Sequence, residues 1–179
     1  MQYAIELYYD KETEQKLYTL AKRVADEKLS TKFLEWKTRP RLTLACYNDV
    51  DEEKCILRLR KFASCQKQMP AYIGSVGMFP DTGTIFASPV MNESMYRFHR
   101  EVHDCFKDFD IGGWEWYRPD RWAPHCTLAL TKEDEEDAFY KASDLILHEF
   151  RKMSGSFASI GLVKITFPVE EIFTVELEA

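Results

Sequence analysis

RPRLTLACY, residues 39–47, has an echo in WAPHCTLAL, residues 122–130, at an offset of 84 residues when Pro40 is set on Pro124. Aligned, the two read Pro40-Arg41-Leu42-Thr43-Leu44-Ala45 and Pro124-His125-Cys126-Thr127-Leu128-Ala129. Both have the apolar and polar alternation of a half-buried strand, in which successive side chains point to opposite faces. That rule puts Leu42, Leu44 and Cys46 on one face and Arg41, Thr43, Ala45 and Tyr47 on the other. In the second copy it sorts Cys126, Leu128 and Leu130 from His125, Thr127 and Ala129. Each copy therefore has an apolar face and, opposite it, an ionisable group two residues from a hydroxyl. A spacing close to half of a 179-residue chain makes a duplicated, two-lobed architecture the economical reading.

The surrounding chain supplies matching elements. Gln2 to Tyr9 alternates, with Tyr3, Ile5, Leu7 and Tyr9 on one face, and predicts a strand. Residues 11 to 29 switch to helical spacing at Leu17, Leu20, Ala21 and Val24. A second helix is expected over 51 to 67, with Cys55, Ile56, Leu59 and Phe62 inward. Runs 71 to 78 and 84 to 90, joined by Pro80-Asp81-Thr82-Gly83, predict a hairpin. Asn92 caps a third helix with the stripe Met95, Phe98, Val102, Cys105 and Phe109. Thr131 and Asp134 resemble a capping box opening a fourth helix to about Met153, and its acidic start, Glu133 to Asp137, suits the helix dipole. Two strands, about 157 to 167 and 169 to 178, end the chain. The fold class is α+β: a bilobal duplicated fold in one domain over 1–179, two antiparallel sheets lining a central cleft with helices outside.

Composition bounds the function. A chain of this size buries roughly two-thirds of its unfolded surface, so stability demands no disulfide or metal. The five cysteines are odd in number and lack zinc-site spacing, which reads as reduced thiols of a cytoplasmic protein. No signal peptide or bilayer-spanning apolar run is present. A net charge of -6 argues against the broad cationic surface of nonspecific duplex binders, so a nucleic acid partner should be small or locally held. His99 and His103 share a helix face, but the Glu between them is misplaced for a zincin, and a structural role is expected for them and for His148.

With these motifs the chain resembles the 2H phosphoesterase superfamily of 2′-5′ RNA ligase-like proteins and RNA 2′,3′-cyclic phosphodiesterases, marked by two His-x-Thr-x motifs on strands of a bilobal fold. Pro124-His125-Cys126-Thr127-Leu128 carries the motif in full, with the lead-in Trp122-Ala123-Pro124. Ile85-Phe86-Ala87-Ser88-Pro89 and Phe98-His99-Arg100-Glu101-Val102-His103 resemble the regions between motifs. The resemblance implies a phosphodiesterase that needs no metal or cofactor, with one motif His as base, the other as acid, and both Thr hydroxyls on the phosphate. It implies as partner an RNA end or small nucleotide with a cyclic or 2′-5′ phosphate; the sequence leaves the oligomeric state open, with a monomer expected.

Arg41 departs from the motif. A guanidinium stays protonated, so it cannot act as a general base, yet it can donate a fork of hydrogen bonds to phosphate oxygens. Losing one acid or base partner costs about 10²–10⁴-fold in rate. Three outcomes stay open: a phosphodiesterase with one His, a phosphate- or RNA-end-binding relative without turnover, and an altered chemistry. The candidate catalytic residues are His125, Thr127 and Thr43. The candidate substrate-binding residues are Arg41, Tyr47, and, from the aromatic and cationic loop Trp114 to Trp122, Tyr117, Arg118, Arg121 and Trp122.

Overall fold

In a computed structural model, described over residues 1–109, 113–131 and 136–179, the first strand is β1 (Gln2–Tyr9). Asp10 then caps α1 (Lys11–Asp26), its carboxylate accepting from the Thr13 amide at 2.9 Å. The cap is tied to the far end of the chain, because the Ser156 backbone amide donates to the same carboxylate. Leu17, Leu20, Ala21 and Val24 are buried, as their spacing predicts. A short helix unmarked by any periodicity, α2 (Lys32–Glu35), precedes β2 (Arg41–Asn48). Next come α3 (Glu52–Ala63), β3 (Met69–Phe79), β4 (Thr84–Pro89) and α4 (Glu93–Cys105), the last capped by Asn92 on the Met95 amide at 2.9 Å. The chain closes with β5 (Cys126–Leu130), α5 (Glu136–Glu149), β6 (Met153–Lys164) and β7 (Glu170–Glu176). The expected fourth helix ends at Glu149, because the chain from Met153 pairs with β3. The capping box at Asp134 and most of the acidic run lie outside the described residues.

The mixed helix and antiparallel sheet class is as expected, but the strands do not form two separate sheets. Among the described residues they make one seven-stranded sheet in the order β2-β1-β6-β3-β4-β5, with β7 also on β6. The shared strand is long enough to serve both halves: its 157–164 stretch pairs β1, and its 153–157 stretch pairs β3. β2 and β5, at opposite ends of this path, return to contact one another.

Both motif strands carry the same irregularity. In β2, Glu6 faces Thr43 while Ile5 faces Ala45, which leaves Leu44 as an extra residue. In β5, Phe86 faces Thr127 while Ile85 faces Ala129, which leaves Leu128 extra. A bulge adds one residue to one strand and so reverses the phase of alternation beyond it. Ala45 and Tyr47 are thereby turned into the main apolar core with Leu42 and Leu44, and Cys46 goes to the opposite face with Ala4 and Val163. In β5, Ala129 joins Cys126 and Leu128 in the core, and Leu130 turns to the side of Thr127. Strict alternation places Cys46 and Leu130 with the apolar face and Tyr47 beside Arg41. It also puts Ala45 beside Arg41 and Ala129 beside His125, and the bulges overturn all five assignments.

Candidate active site

Ahead of each bulge the motif residues keep their expected face. Register puts Arg41 opposite Tyr8 and Thr43 opposite Glu6, on the face of β1 that alternates with its buried Ile5 and Leu7. Arg41 and Thr127, from different strands, line one small pocket of about 100 Å³ with Phe33, Trp36, Thr38 and Leu130. His125 is part-exposed at the head of β5, with its ring centroid 5.0 Å from Phe79, 5.4 Å from Phe86 and 6.4 Å from Tyr117.

The histidine is held in one tautomer. Its Nδ1 lies 2.7 Å from the Ala123 carbonyl oxygen. A carbonyl only accepts, so Nδ1 carries the hydrogen and the neutral ring keeps its lone pair on Nε2. Burial lowers the His125 pKa below the ordinary histidine value, the bond to Ala123 works in the opposite direction, and the charge of Arg41 lowers it further. His125 is therefore neutral at pH 7, with an unprotonated nitrogen able to accept a proton.

Arg41 has a counter-ion that no sequence motif signals. Its Nε lies 3.4 Å from Oε1 of Glu6, a carboxylate only 2% exposed. The Thr43 hydroxyl donates to the same oxygen at 3.2 Å. Glu6 Oε2 is buried without a hydrogen-bond partner among the described residues. Burial raises the Glu6 pKa, and Arg41 and Thr43 offset this only in part. The only sequence trace of this group is an acidic residue in the apolar strand QYAIELYY.

The loop before β5 divides its residues between the site and the scaffold. Tyr117 lies beside His125, the ring planes 30° apart. Trp122 is 9% exposed, donates from Nε1 to the Thr43 carbonyl at 3.0 Å, and stacks on His99 with centroids 3.7 Å apart. One face of its ring is thus covered by the protein, and it braces β2 rather than facing the pocket. Tyr47 is in the core at 2% exposure, for the bulge reason given above. Arg121 pairs with Glu115 at 2.9 Å and lies over Trp116, and Arg118 is exposed. His99 and His103 both reach the carbonyl of the bulge residue Leu44, at 2.9 and 3.1 Å. Burial, then the neighbouring His103, push His99 down to about 3, so it is neutral. Among the described residues no three His, Cys, Asp or Glu side chains cluster as metal ligands.

The fold has solved counterparts. TT0787 of Thermus thermophilus matches at a TM-score of 0.64 and 14% identity, covering 100% of this chain and 99% of that one. E. coli LigT complexed with NADP+ matches at 0.63 and 12% identity, covering 99% and 98%. The MHV ns2 PDE domain matches at 0.54 and 11%, covering 99% and 100%. No curated protein matches by sequence. At these identities the structural matches speak for the fold alone. The sequence itself decides the family: the model of the 2′-5′ RNA ligase superfamily matches residues 37–172, a span that includes both motif strands, and the chain belongs to that superfamily.

Proposed function

We propose that the protein is a phosphodiesterase acting on 2′,3′-cyclic or 2′-5′ phosphodiesters of RNA ends or nucleotides, with His125 as its acid-base group. One observation carries this reading: the Ala123 carbonyl fixes Nδ1–H of a neutral His125, whose Nε2 then has the lone pair a base requires. Water attacks the phosphorus and gives its proton to Nε2, a new P–O bond forms, and the ester P–O bond breaks. The imidazolium or solvent then protonates the leaving ribose oxygen. Arg41 and Thr127, which share a pocket, donate to the non-bridging oxygens, and Thr43 orders Glu6 beside them.

Its setting follows from the same features. The two equivalent bulged strands support a single working unit over 1–179 built from two related halves. The five cysteines are all free thiols, which suits a reducing cytoplasm, and no described helix is long and apolar enough to cross a membrane. Solved neighbours of the fold include E. coli LigT complexed with 3′-AMP and with ATP, which favours a nucleotide or an RNA end as the ligand of this chain.

A second reading, a phosphate-end binder without turnover, is favoured by the Arg41 and Glu6 pair, since the position that would hold the second acid or base has a permanent charge. Incubating purified protein with RNA ending in a 2′,3′-cyclic phosphate separates the two. Turnover lost in His125→Ala supports the enzyme. Binding without turnover, with activity gained in Arg41→His, supports the binder, and a genuine activity untouched by His125→Ala overturns the mechanism.

A further inference from the structure

We infer that Trp36 and Phe167 form a stacking platform for the base of a nucleotide whose phosphate sits at Arg41 and Thr127. The inference rests on the phosphate site proposed above and extends it to the other end of the substrate. Trp36 lies just past α2, and Phe167 lies in the turn between β6 and β7. Their ring centroids are 4.5 Å apart at 45°, and the Val169 amide donates to the Trp36 carbonyl at 2.9 Å, which fastens the two segments together.

Three features point to a ligand. First, neither ring belongs to an apolar cluster of the fold, and Phe167 is 63% exposed, so core packing does not account for the pair. Second, Trp36 lines the same pocket as Arg41 and Thr127, so a group stacked on it is joined to the phosphate position without a wall between. Third, the Lys32 ammonium lies 6.0 Å from the Trp36 ring centroid, and Lys37 is exposed next to it, a cationic border that suits a phosphate-bearing ligand. A nucleotide joins its base to its phosphate through one ribose, so a pocket lined by an aromatic ring together with Arg41 and Thr127 can meet both ends of such a ligand. Aromatic stacking accepts any base, so the platform favours nucleotides over other phosphodiesters without selecting one sequence.

The test is equilibrium binding of adenosine 3′-monophosphate and, separately, of inorganic phosphate to the full chain. Trp36→Ala and Phe167→Ala should each weaken nucleotide binding about tenfold, leave phosphate binding unchanged, and be largely rescued in Trp36→Phe. Nucleotide affinity within twofold of the original in both alanine variants overturns the platform. So does an equal loss of phosphate affinity, which would make the rings structural. The catalytic reading fails separately: if His125→Ala leaves turnover intact while Trp36→Ala still weakens nucleotide binding, the mechanism falls and the platform stands.

Discussion

The two motif strands share a bulge and a threonine, yet they present opposite kinds of group. On β5, His125 is anchored by a single backbone carbonyl and can change its charge, with a pKa below the ordinary histidine value. On β2, Arg41 is a permanent cation over a buried carboxylate, and the strand behind it is held by Trp122 at Thr43 and by two histidines at Leu44. One end of the site can exchange a proton, while the other provides charge and rigidity. On the proposed reading, the two strands divide labour that an acid and a base would otherwise share.

The largest expected break in this comparison is at its titrating end. His125→Ala should lower kcat on a cyclic phosphate substrate by about 10²–10⁴-fold while leaving the unfolding midpoint close to the original, which steady-state kinetics and thermal denaturation check. The next tests the fixed end: Glu6→Ala strips Arg41 of its counter-ion, and removing one partner of a buried pair costs about 3–5 kcal/mol. Because Arg41 is part-exposed, the loss measured by urea unfolding should fall at the lower end of that range.

The pH dependence sharpens the contrast. The lowered pKa of His125 puts the acid limb of a kcat/KM profile below the ordinary value of about 6.5, because the ring is already neutral there. Burial is the main cause and should persist in Arg41→Ala, whereas losing the cation should move the limb upward. Glu6 has the opposite sign: its pKa is higher folded than unfolded, so the folded state holds the extra proton. Its contribution to stability is fullest below the unfolded carboxyl range and declines as pH rises through the folded value. The stability difference between the protein and Glu6→Gln should therefore drift against the unaltered protein across that window. The smallest effect is expected at Trp122→Phe, which keeps the stacked ring and removes only the bond to Thr43, at about 1 kcal/mol.

Much of this is readable from sequence because it depends on local periodicity. The spacing of Leu17, Leu20, Ala21 and Val24 marks the buried face of α1, and Asn92 marks the start of α4. The match between the two copies aligns Arg41 with His125 and Thr43 with Thr127 along the chain, whereas in the structure the shared pocket joins Arg41 to Thr127. What escapes is non-local. Tyr47, Cys46 and Leu130 are assigned by an alternation that a bulge resets, and a bulge is visible only in how β2 and β5 register against β1 and β4. Trp122 reads as part of an aromatic, substrate-facing loop, yet it is covered by His99 from a different element.

The element types, the repeated motif and the chemical capacity of each motif residue follow from the order of amino acids alone, since helical and strand periods and the acidity of a side chain are local properties. It takes the folded chain to bring the two ends of one sheet together, to set Glu6 beneath Arg41, and to bring Trp36 to its pocket. Those relations come from strand pairing and burial between residues far apart in the chain, and burial is also what moves the pKa of His125 and Glu6 away from their ordinary values.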